Sequence, residues 1–184
     1  MAKVTTSRAN KDYPAAGIKK GDTYYSWAFF RGPTMRSATY PRPSQLVGSE
    51  KKSNALAVYE DLEDALAAAT TPEDIKAALD QAAEEAQNSI DEYDESISNM
   101  EEAFSGGSPA IEEAEQDRDN IQSFLDECES ASSEVENLDY VDYEVKPDQD
   151  PEKGEVGWDN LTEDGQSEML QAARELAESV SLDL

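Results

Sequence analysis

The two acidic segments that decide the fold read PEDIKAALDQAAEEAQNSIDEYDESISNMEEAF (residues 72–104) and SGGSPAIEEAEQDRDNIQSFLDECESASSEVENL (residues 105–138). In the first segment, apolar or small residues recur every three or four positions: Ile75, Leu79, Ala82, Ala86, Ile90, Tyr93, Ile97, Met100 and Phe104. This spacing predicts a long helix with the apolar seam of a coiled coil.

The second segment repeats the pattern after a short turn. Its apolar or small positions are Ile111, Ala114, Ile121, Leu125, Cys128, Ala131, Val135 and Leu138, with Arg118 falling in the seam. Residues 105–109 supply glycines that end the first helix, Ser108 as an N-cap and Pro109 as the first residue of the next helix. Because so short a turn places two helices side by side and antiparallel, we predict an α-helical hairpin with Ile90 and Ile121 in one core.

Charge is distributed unevenly along the chain. Forty-two acidic and 15 basic residues give a net charge of −27. Residues 1–50 hold eight Lys or Arg and three Asp or Glu (net +5), whereas residues 51–184 hold seven and 39 (net −32). A basic head on an acidic body suggests separate partners for the two parts. Acidity of this degree is also an adaptation to salt or a source of solubility.

Composition excludes several classes of site. Cys128 is the only cysteine and there is no histidine, which excludes disulfide scaffolds, Cys/His zinc sites and histidine triads. We interpret Cys128 as a small buried hydrophobe. No calcium-loop pattern occurs, and acids along a charged helix offer no pocket for glycoside chemistry. We therefore predict no enzyme, no catalytic residue, no metal site and no cofactor. With no apolar run of about 20 residues, we expect no membrane partner.

The N-terminal region has a different, aromatic character. Residues 1–17 show no periodicity and predict an arm that is flexible when free. Residues 23–30 and 35–40 predict two strands joined by a turn at residues 31–34. Because an isolated two-stranded hairpin is barely stable in water, the hairpin is expected to gain a third strand or to pack against the helices. Val141, Tyr143 and Val145 alternate with acids, so the acidic stretch 139–144 is expected to supply that strand and draw the basic hairpin to it.

These observations predict a mainly α protein: an acidic antiparallel helical hairpin or bundle with a small N-terminal β-hairpin unit. The predicted parts are a basic aromatic arm and β-hairpin (1–46), an acidic helical body (47–138), an acidic linker with a short strand (139–160) and a C-terminal amphipathic helix (161–184). Ser53 and Thr162 are the expected N-caps of the first and last helices.

Part of the N-terminal region resembles a known group of proteins. The residues that carry the resemblance are KDYP (11–14), GIKKGDTYY (17–25), Trp27, Phe29, Arg31, Gly32, Ser37, Thr39 and PRPSQL (41–46). This stretch is similar to the opening of small, uncharacterised phage-encoded proteins. The resemblance covers about a fifth of the chain and implies a viral accessory protein in the cytoplasm of an infected cell or in the virion. The strand and turn of that group tend to be more basic. In this chain the same region contains Ala28, Phe30, Pro33 and Met35.

An acidic helical surface is the first candidate for function. The predicted residues are Glu84, Glu85, Asp91, Glu92, Asp94, Glu95, Glu112, Glu113, Asp117 and Asp119. A dense row of carboxylates can compete with DNA for a basic groove, so we expect a basic host or phage protein as partner, with DNA mimicry as one mode of binding. The alternative is a solvated helix face without a partner.

The basic aromatic hairpin is the second candidate. Its residues are Lys19, Lys20, Tyr25, Trp27, Phe29, Arg31, Arg36 and Arg42. Cations with exposed rings predict nucleic-acid contact through residues 1–43, whereas rings packed on a helix would be structural. A third hypothesis is a virion or assembly component that forms homo-oligomers through the helical hairpin. Of the three, we favour a non-catalytic interaction protein that binds or inhibits a protein partner.

Overall fold

The computed structural model describes residues 1–103, 108–147 and 156–184, which form a small sheet and four α-helices. The strands are β1 (Thr5–Arg8), β2 (Thr23–Ala28) and β3 (Thr34–Ser37). The helices are α1 (Glu50–Ala68), α2 (Pro72–Ala103), α3 (Pro109–Glu136) and α4 (Glu163–Ala177). The protein is mainly α with a small N-terminal β unit, as predicted. It divides into two compact units, residues 1–60 (the N-terminal unit) and residues 61–184 (the helical unit).

Helices α2 and α3 form the predicted antiparallel hairpin. Three side-chain pairs join them: Lys76 with Glu136, Asp80 with Ser132 and Asp94 with Arg118. From the first pair to the second, a step of four residues along α2 matches a step of four back along α3. From the second pair to the third, the steps are fourteen in each direction. This constant register is that of two antiparallel helices packed along their length.

The core of the hairpin follows the predicted seam on α2 and departs from it on α3. Ile75, Leu79, Ala82, Ala86, Ile90, Tyr93 and Ile97 are all buried, while Phe104 lies outside the described residues. On α3 the buried positions are Ile111, Asp117, Ile121, Phe124, Leu125, Cys128, Ala131, Ser132 and Val135. Ile90 and Ile121 are both buried, and the register places Ile121 within one residue of the position facing Ile90.

The polar residue in the α3 seam is Asp117, and the prediction of Arg118 was wrong. Positions 117, 121, 124, 128, 131 and 135 advance by alternate steps of four and three, which is the heptad spacing of a continuous seam. The predicted series omitted Phe124, whose exposed fraction is 1%. Arg118 is instead half-buried and pairs with Asp94 and Asp119.

Two helix starts were predicted correctly. The Ser108 side chain accepts a hydrogen bond from the Ala110 N–H at 3.3 Å, and Pro109 is the first residue of α3. Thr162 caps α4 by accepting from the Gly165 N–H at 3.1 Å. The predicted glycine stop falls on residues 105–107, outside the described part of the chain.

The predicted cap at Ser53 was wrong. Helix α1 begins at Glu50, and the Ser53 hydroxyl donates to the Ser44 carbonyl at 2.8 Å. The apolar pattern starts only at Ala55, whereas the helical backbone begins one turn earlier, in a stretch whose side chains are polar.

The third strand comes from the N-terminus and not from the acidic linker. β1 pairs antiparallel with β2, with Thr5 opposite Ser26 and Arg8 opposite Thr23, and β2 pairs antiparallel with β3. Residues 5–8, expected to be a flexible arm, therefore complete the sheet. All four are polar, so they offer no apolar alternation from which a strand could be predicted.

The stretch expected to form that strand takes another conformation. Tyr140–Asp142 is a 3₁₀ turn, started by the Asp139 side chain, which accepts from the Val141 N–H at 3.1 Å. Val145 forms an isolated bridge with Leu161. A carboxylate that binds its own backbone two residues later favours a turn over a strand here.

Residues 144–146 lie against the start of α4. The Thr162 N–H donates to the Glu144 carbonyl and the Lys146 N–H to the Asn160 carbonyl, both at 2.9 Å. A Cβ atom at Gly165 would collide with the backbone of Glu144, so the close approach requires glycine. Helix α4 packs against both α2 and α3 and completes the helical unit.

Candidate functional site

The most regular charged feature is a row of carboxylates on the outer side of α2. Glu84, Asp91 and Glu95 are exposed and separated by steps of seven and four residues, so they align along one stripe of the helix. At 3.6 residues per turn, this stripe lies opposite the buried positions, such as Ala86 and Tyr93. The core fixes the phase of α2 and thereby points these carboxylates outward.

The charge density of this part of α2 is high. Residues 84–102 contain eight acidic residues and no lysine or arginine. They are Glu84, Glu85, Asp91, Glu92, Asp94, Glu95, Glu101 and Glu102. At ~1.5 Å per residue, the eight charges span ~27 Å, a mean axial spacing of ~3.9 Å. Phosphates along one strand of DNA recur every ~3.4 Å. Residues 84–102 of α2 therefore approach a single nucleic-acid strand in linear charge density.

The predicted acids of α3 lie on another face of the hairpin. Glu112 and Asp119 are exposed and seven residues apart, on the side of α3 that points away from its buried residues. Since α2 and α3 face each other through their seams, the two acidic rows point in opposite directions. A partner that covers one row does not cover the other.

Asp117 cannot belong to an exposed binding surface. Its exposed fraction is 8%, and its carboxylate accepts a hydrogen bond from the Tyr93 hydroxyl at 3.4 Å. Burial, and after it the nearby Asp117 charge, raise the pKa of Tyr93 above the ordinary range of a phenol. The heptad phase of Asp117 relative to Ile121 could have indicated its burial.

The basic side chains described in the helical unit are used internally. Lys76 pairs with Asp80 at 2.8 Å, a contact that raises the pKa of the lysine, and Arg118 bridges the two hairpin helices. Lys146 and Arg174 donate to backbone carbonyls at 2.7 and 2.9 Å. Residues 61–184 hold 38 acidic and five basic residues, a net charge of −33. Little of that charge is neutralised within the unit.

Three predicted acids are available for a partner. Glu84, Glu95 and Glu112 are exposed, and their carboxylates engage no side chain in the described part of the chain. The Asp91 carboxylate accepts a hydrogen bond from the Gln87 side chain, one turn earlier in α2, at 3.0 Å. Other members are more constrained, since Asp94 and Asp119 share Arg118 and the Glu85 carboxylate accepts from Gln81.

The rings of the predicted basic hairpin are largely used in packing. Trp27 is 5% exposed, and its indole N–H meets no acceptor among the described residues. The Tyr25 ring meets the Tyr40 ring edge-on, with centroids 5.3 Å apart. Phe29 is half-buried, whereas its neighbour Phe30, which the prediction left out, is 90% exposed.

The cations of the hairpin lie on its surface. Lys19, Lys20, Arg31, Arg36 and Arg42 are all exposed. Arg31 adopts a positive φ of 60° at the hairpin tip, and its guanidinium lies 5.1 Å from the Phe30 ring centroid. The structure therefore retains the predicted charges at the surface but not the predicted stacking rings Tyr25 and Trp27.

Cys128 is a buried core thiol, as predicted. Burial raises its pKa to about 12, with smaller contributions from Glu127 and Glu129. Among the described residues, no group of three or more carboxylates, cysteines or histidines is placed to hold a metal ion. Nor does any helix in that part of the chain have the length and apolar character needed to cross a bilayer.

Comparison with known proteins gives no relative. The chain matches no protein-family model, and no significant match was found among curated proteins or solved structures.

Proposed function

We propose that this protein is a non-catalytic interaction protein that binds a basic protein through the acidic outer half of α2. The observation that carries the proposal is the linear charge density of residues 84–102, which is close to that of one DNA strand. A surface that binds phosphates with lysine and arginine would also attract carboxylates at this spacing. The protein would thus compete with nucleic acid for its partner.

The rigidity of the hairpin supports this mode of binding. The carboxylates are attached to a helix held by a buried seam from Ile75 to Ile97. Their spacing is therefore fixed before the partner arrives, which lowers the ordering cost of binding. The internal use of Lys76 and Arg118 leaves few cations on this unit to oppose a basic partner.

The resemblance of residues 11–46 to phage-encoded proteins extends the proposal to a biological setting. In that setting the protein is a phage accessory factor, acting in the cytoplasm of the infected cell on a basic host or phage protein. Inhibition follows from competition, since a partner occupied by α2 cannot hold DNA at the same groove.

A competition titration tests the proposal. A fluorescent 20-base-pair duplex is bound to a basic bacterial nucleoid protein at ~0.15 M salt, and the full chain is added while anisotropy is recorded. We expect displacement of the duplex. The triple variant Glu84→Gln, Asp91→Asn and Glu95→Gln should compete about tenfold less well, because each lost rim charge weakens steering and pairing.

A matched control variant distinguishes the effect of the α2 carboxylates from the effect of net charge. The variant Asp61→Asn, Glu63→Gln and Glu178→Gln removes three exposed carboxylates elsewhere in the helical unit. It should compete nearly as well as the unaltered chain. Equal losses in both variants would reduce the effect to net charge and contradict a site on α2.

The alternative hypotheses give different outcomes. Direct, salt-sensitive binding of the duplex by the chain alone would favour the nucleic-acid hypothesis for residues 1–43. Concentration-dependent sedimentation of the chain without displacement would favour an assembly component. A pull-down from host lysate, with and without nuclease, then identifies the partner and shows whether nucleic acid bridges it.

A further inference from the structure

A groove in the N-terminal unit shares only Arg36 with the two predicted surfaces. It has a volume of about 460 Å³ and is lined by Lys11, Asp12, Tyr13, Pro14, Ala15, Ala16, Thr34, Met35 and Arg36. One wall is the turn that ends at Gly17, whose φ of 67° closes the loop. The other wall is β3. Neither Lys11 nor Tyr13 belongs to the predicted hairpin set.

The groove lies beside β3, an edge strand of the sheet. The strand order is β1, β2, β3, so β3 pairs with β2 on one side only among the described strands. Successive side chains of a strand point to opposite faces. Thr34, Met35 and Arg36 are consecutive and all line the groove, so the groove reaches both faces of this edge strand. Such an edge can accept another extended chain by backbone hydrogen bonding.

Two cations stand over the groove without a carboxylate partner. The Lys11 ammonium and the Arg36 guanidinium lie 5.6 and 4.7 Å from the Tyr13 ring centroid. Neither forms an ion pair with any residue that the structure describes. The one carboxylate of the groove, Asp12, accepts the Lys20 backbone N–H at 2.6 Å. The groove therefore favours an anionic ligand.

The rings of the groove favour a carboxylate over a nucleobase. Tyr13 is approached by both cations and by the Tyr24 ring, with ring centroids 5.5 Å apart. Stacking on a base requires a free ring face, and Tyr13 is already in contact on several sides. On the opposite face of β3, Met35 is 46% exposed and offers an apolar contact.

We propose that this groove binds an acidic, extended peptide segment of a partner protein, which adds a fourth strand along β3. Alternate side chains of the segment are acidic and meet Lys11 and Arg36, while the side chains between them are apolar and meet Met35. The site is separate from the α2 row, so failure of either proposal leaves the other intact.

The test uses the full chain and a fluorescent nine-residue peptide, Thr-Glu-Val-Glu-Val-Glu-Val-Glu-Thr, followed by anisotropy at ~0.15 M salt. We expect saturable binding, weakened about tenfold by Lys11→Glu combined with Arg36→Glu. The matched control Lys3→Glu with Arg8→Glu changes two exposed cations that neither line the groove nor belong to the basic aromatic hairpin, and should bind almost as the unaltered chain does. Circular dichroism and thermal melts establish that both double variants fold.

Two further probes test the mode of binding. Two peptides are prepared, one N-methylated at the odd-numbered residues and the other at the even-numbered residues. In each peptide, one edge of the extended backbone loses its N–H donors. The peptide whose methylated edge faces β3 should bind about tenfold more weakly than the other. Equal binding of both methylated peptides, or an equal loss in both double variants, would overturn the proposal. Binding of a single-stranded oligonucleotide in preference to the peptide would overturn it in favour of nucleic acid. A dimer abolished by Lys11→Glu with Arg36→Glu would instead assign the groove to a second copy of the chain.

Discussion

The two units of this protein organise charge in opposite ways. The N-terminal unit, residues 1–60, carries ten basic and four acidic residues, a net charge of +6, around a three-stranded sheet. The helical unit carries −33 around a long apolar seam. In the sheet, rings and cations share the same surface, as Tyr13 and Arg36 show. In the α2–α3 hairpin, apolar side chains form the core and charged side chains lie on the outer face. The comparison shows why α2 can bear so dense a charge: its stability comes from the opposite side of the helix.

The units also differ in how their cations are used. In the helical unit, Lys76 and Arg118 are held in ion pairs between helices. In the N-terminal unit, Lys11 and Arg36 have no carboxylate partner in the described part of the chain. Cations of the first kind stabilise a fold, whereas cations of the second kind are available to a ligand.

The largest expected effect is on stability and concerns the buried apolar seam of α2. Ile90→Asp places a carboxylate at a position that is 4% exposed and should lower the free energy of unfolding by about 3–5 kcal/mol. Asn88→Asp adds the same charge at an exposed position on the same helix and should change stability by under about 0.5 kcal/mol. Urea denaturation measures both. Similar values for the two variants would show that the seam is wrongly assigned.

A smaller effect on stability is expected at Gly165, where the backbone of Glu144 contacts α4. Replacing a glycine within a helix by alanine usually stabilises the helix by up to about 1 kcal/mol. Here the added methyl group meets the Glu144 backbone, so we expect a loss of about 1–3 kcal/mol. Ser167→Ala, at an exposed position of the same helix, is the control and should be nearly neutral. A more stable Gly165→Ala protein would contradict the close contact.

Added salt tests whether repulsion among its own charges destabilises the helical unit. Because the helical unit repels itself at neutral pH, screening should stabilise the protein by about 1–2 kcal/mol, which is ~2–8 °C in melting temperature. Thermal melts at pH 7 from low salt to ~0.5 M sodium chloride measure this, with sucrose at matched osmolality as a control. A melting temperature that falls with salt would mean that attractive pairs outweigh repulsion.

The smallest effect concerns the buried thiol. The pKa of Cys128 is raised from 9.0 to about 12 by burial, so its contribution to stability is complete below about pH 9 and is lost as pH rises towards 12. Between about pH 8 and pH 9.5, the unaltered chain should lose about 0.8 kcal/mol more than Cys128→Ala does. Parallel denaturation curves give the two slopes. Identical slopes, or rapid labelling of the native thiol by a maleimide, would indicate that Cys128 is not buried.

Much of the helical architecture was predictable from local pattern. The seam on α2, the cap at Ser108, Pro109 at the start of α3 and the cap at Thr162 all follow from residue spacing and helix-end chemistry. The outward phase of Glu84 and Glu95 follows from the same period. These features depend on residues close together in sequence, so the chain alone determines them.

The tertiary structure decided features that depend on distant residues. One position along a helix turns a side chain by about 100°, so the choice between Asp117 and Arg118 for the seam depended on the facing helix. Residues 5–8 became a strand only by pairing with residues 23–26, and no local pattern encodes that partner. The groove at Lys11 and Arg36 likewise exists because the fold brings the turn beside β3. The chemistry of each residue and its local period are properties of the sequence, whereas long-range packing decides which side chains lie together.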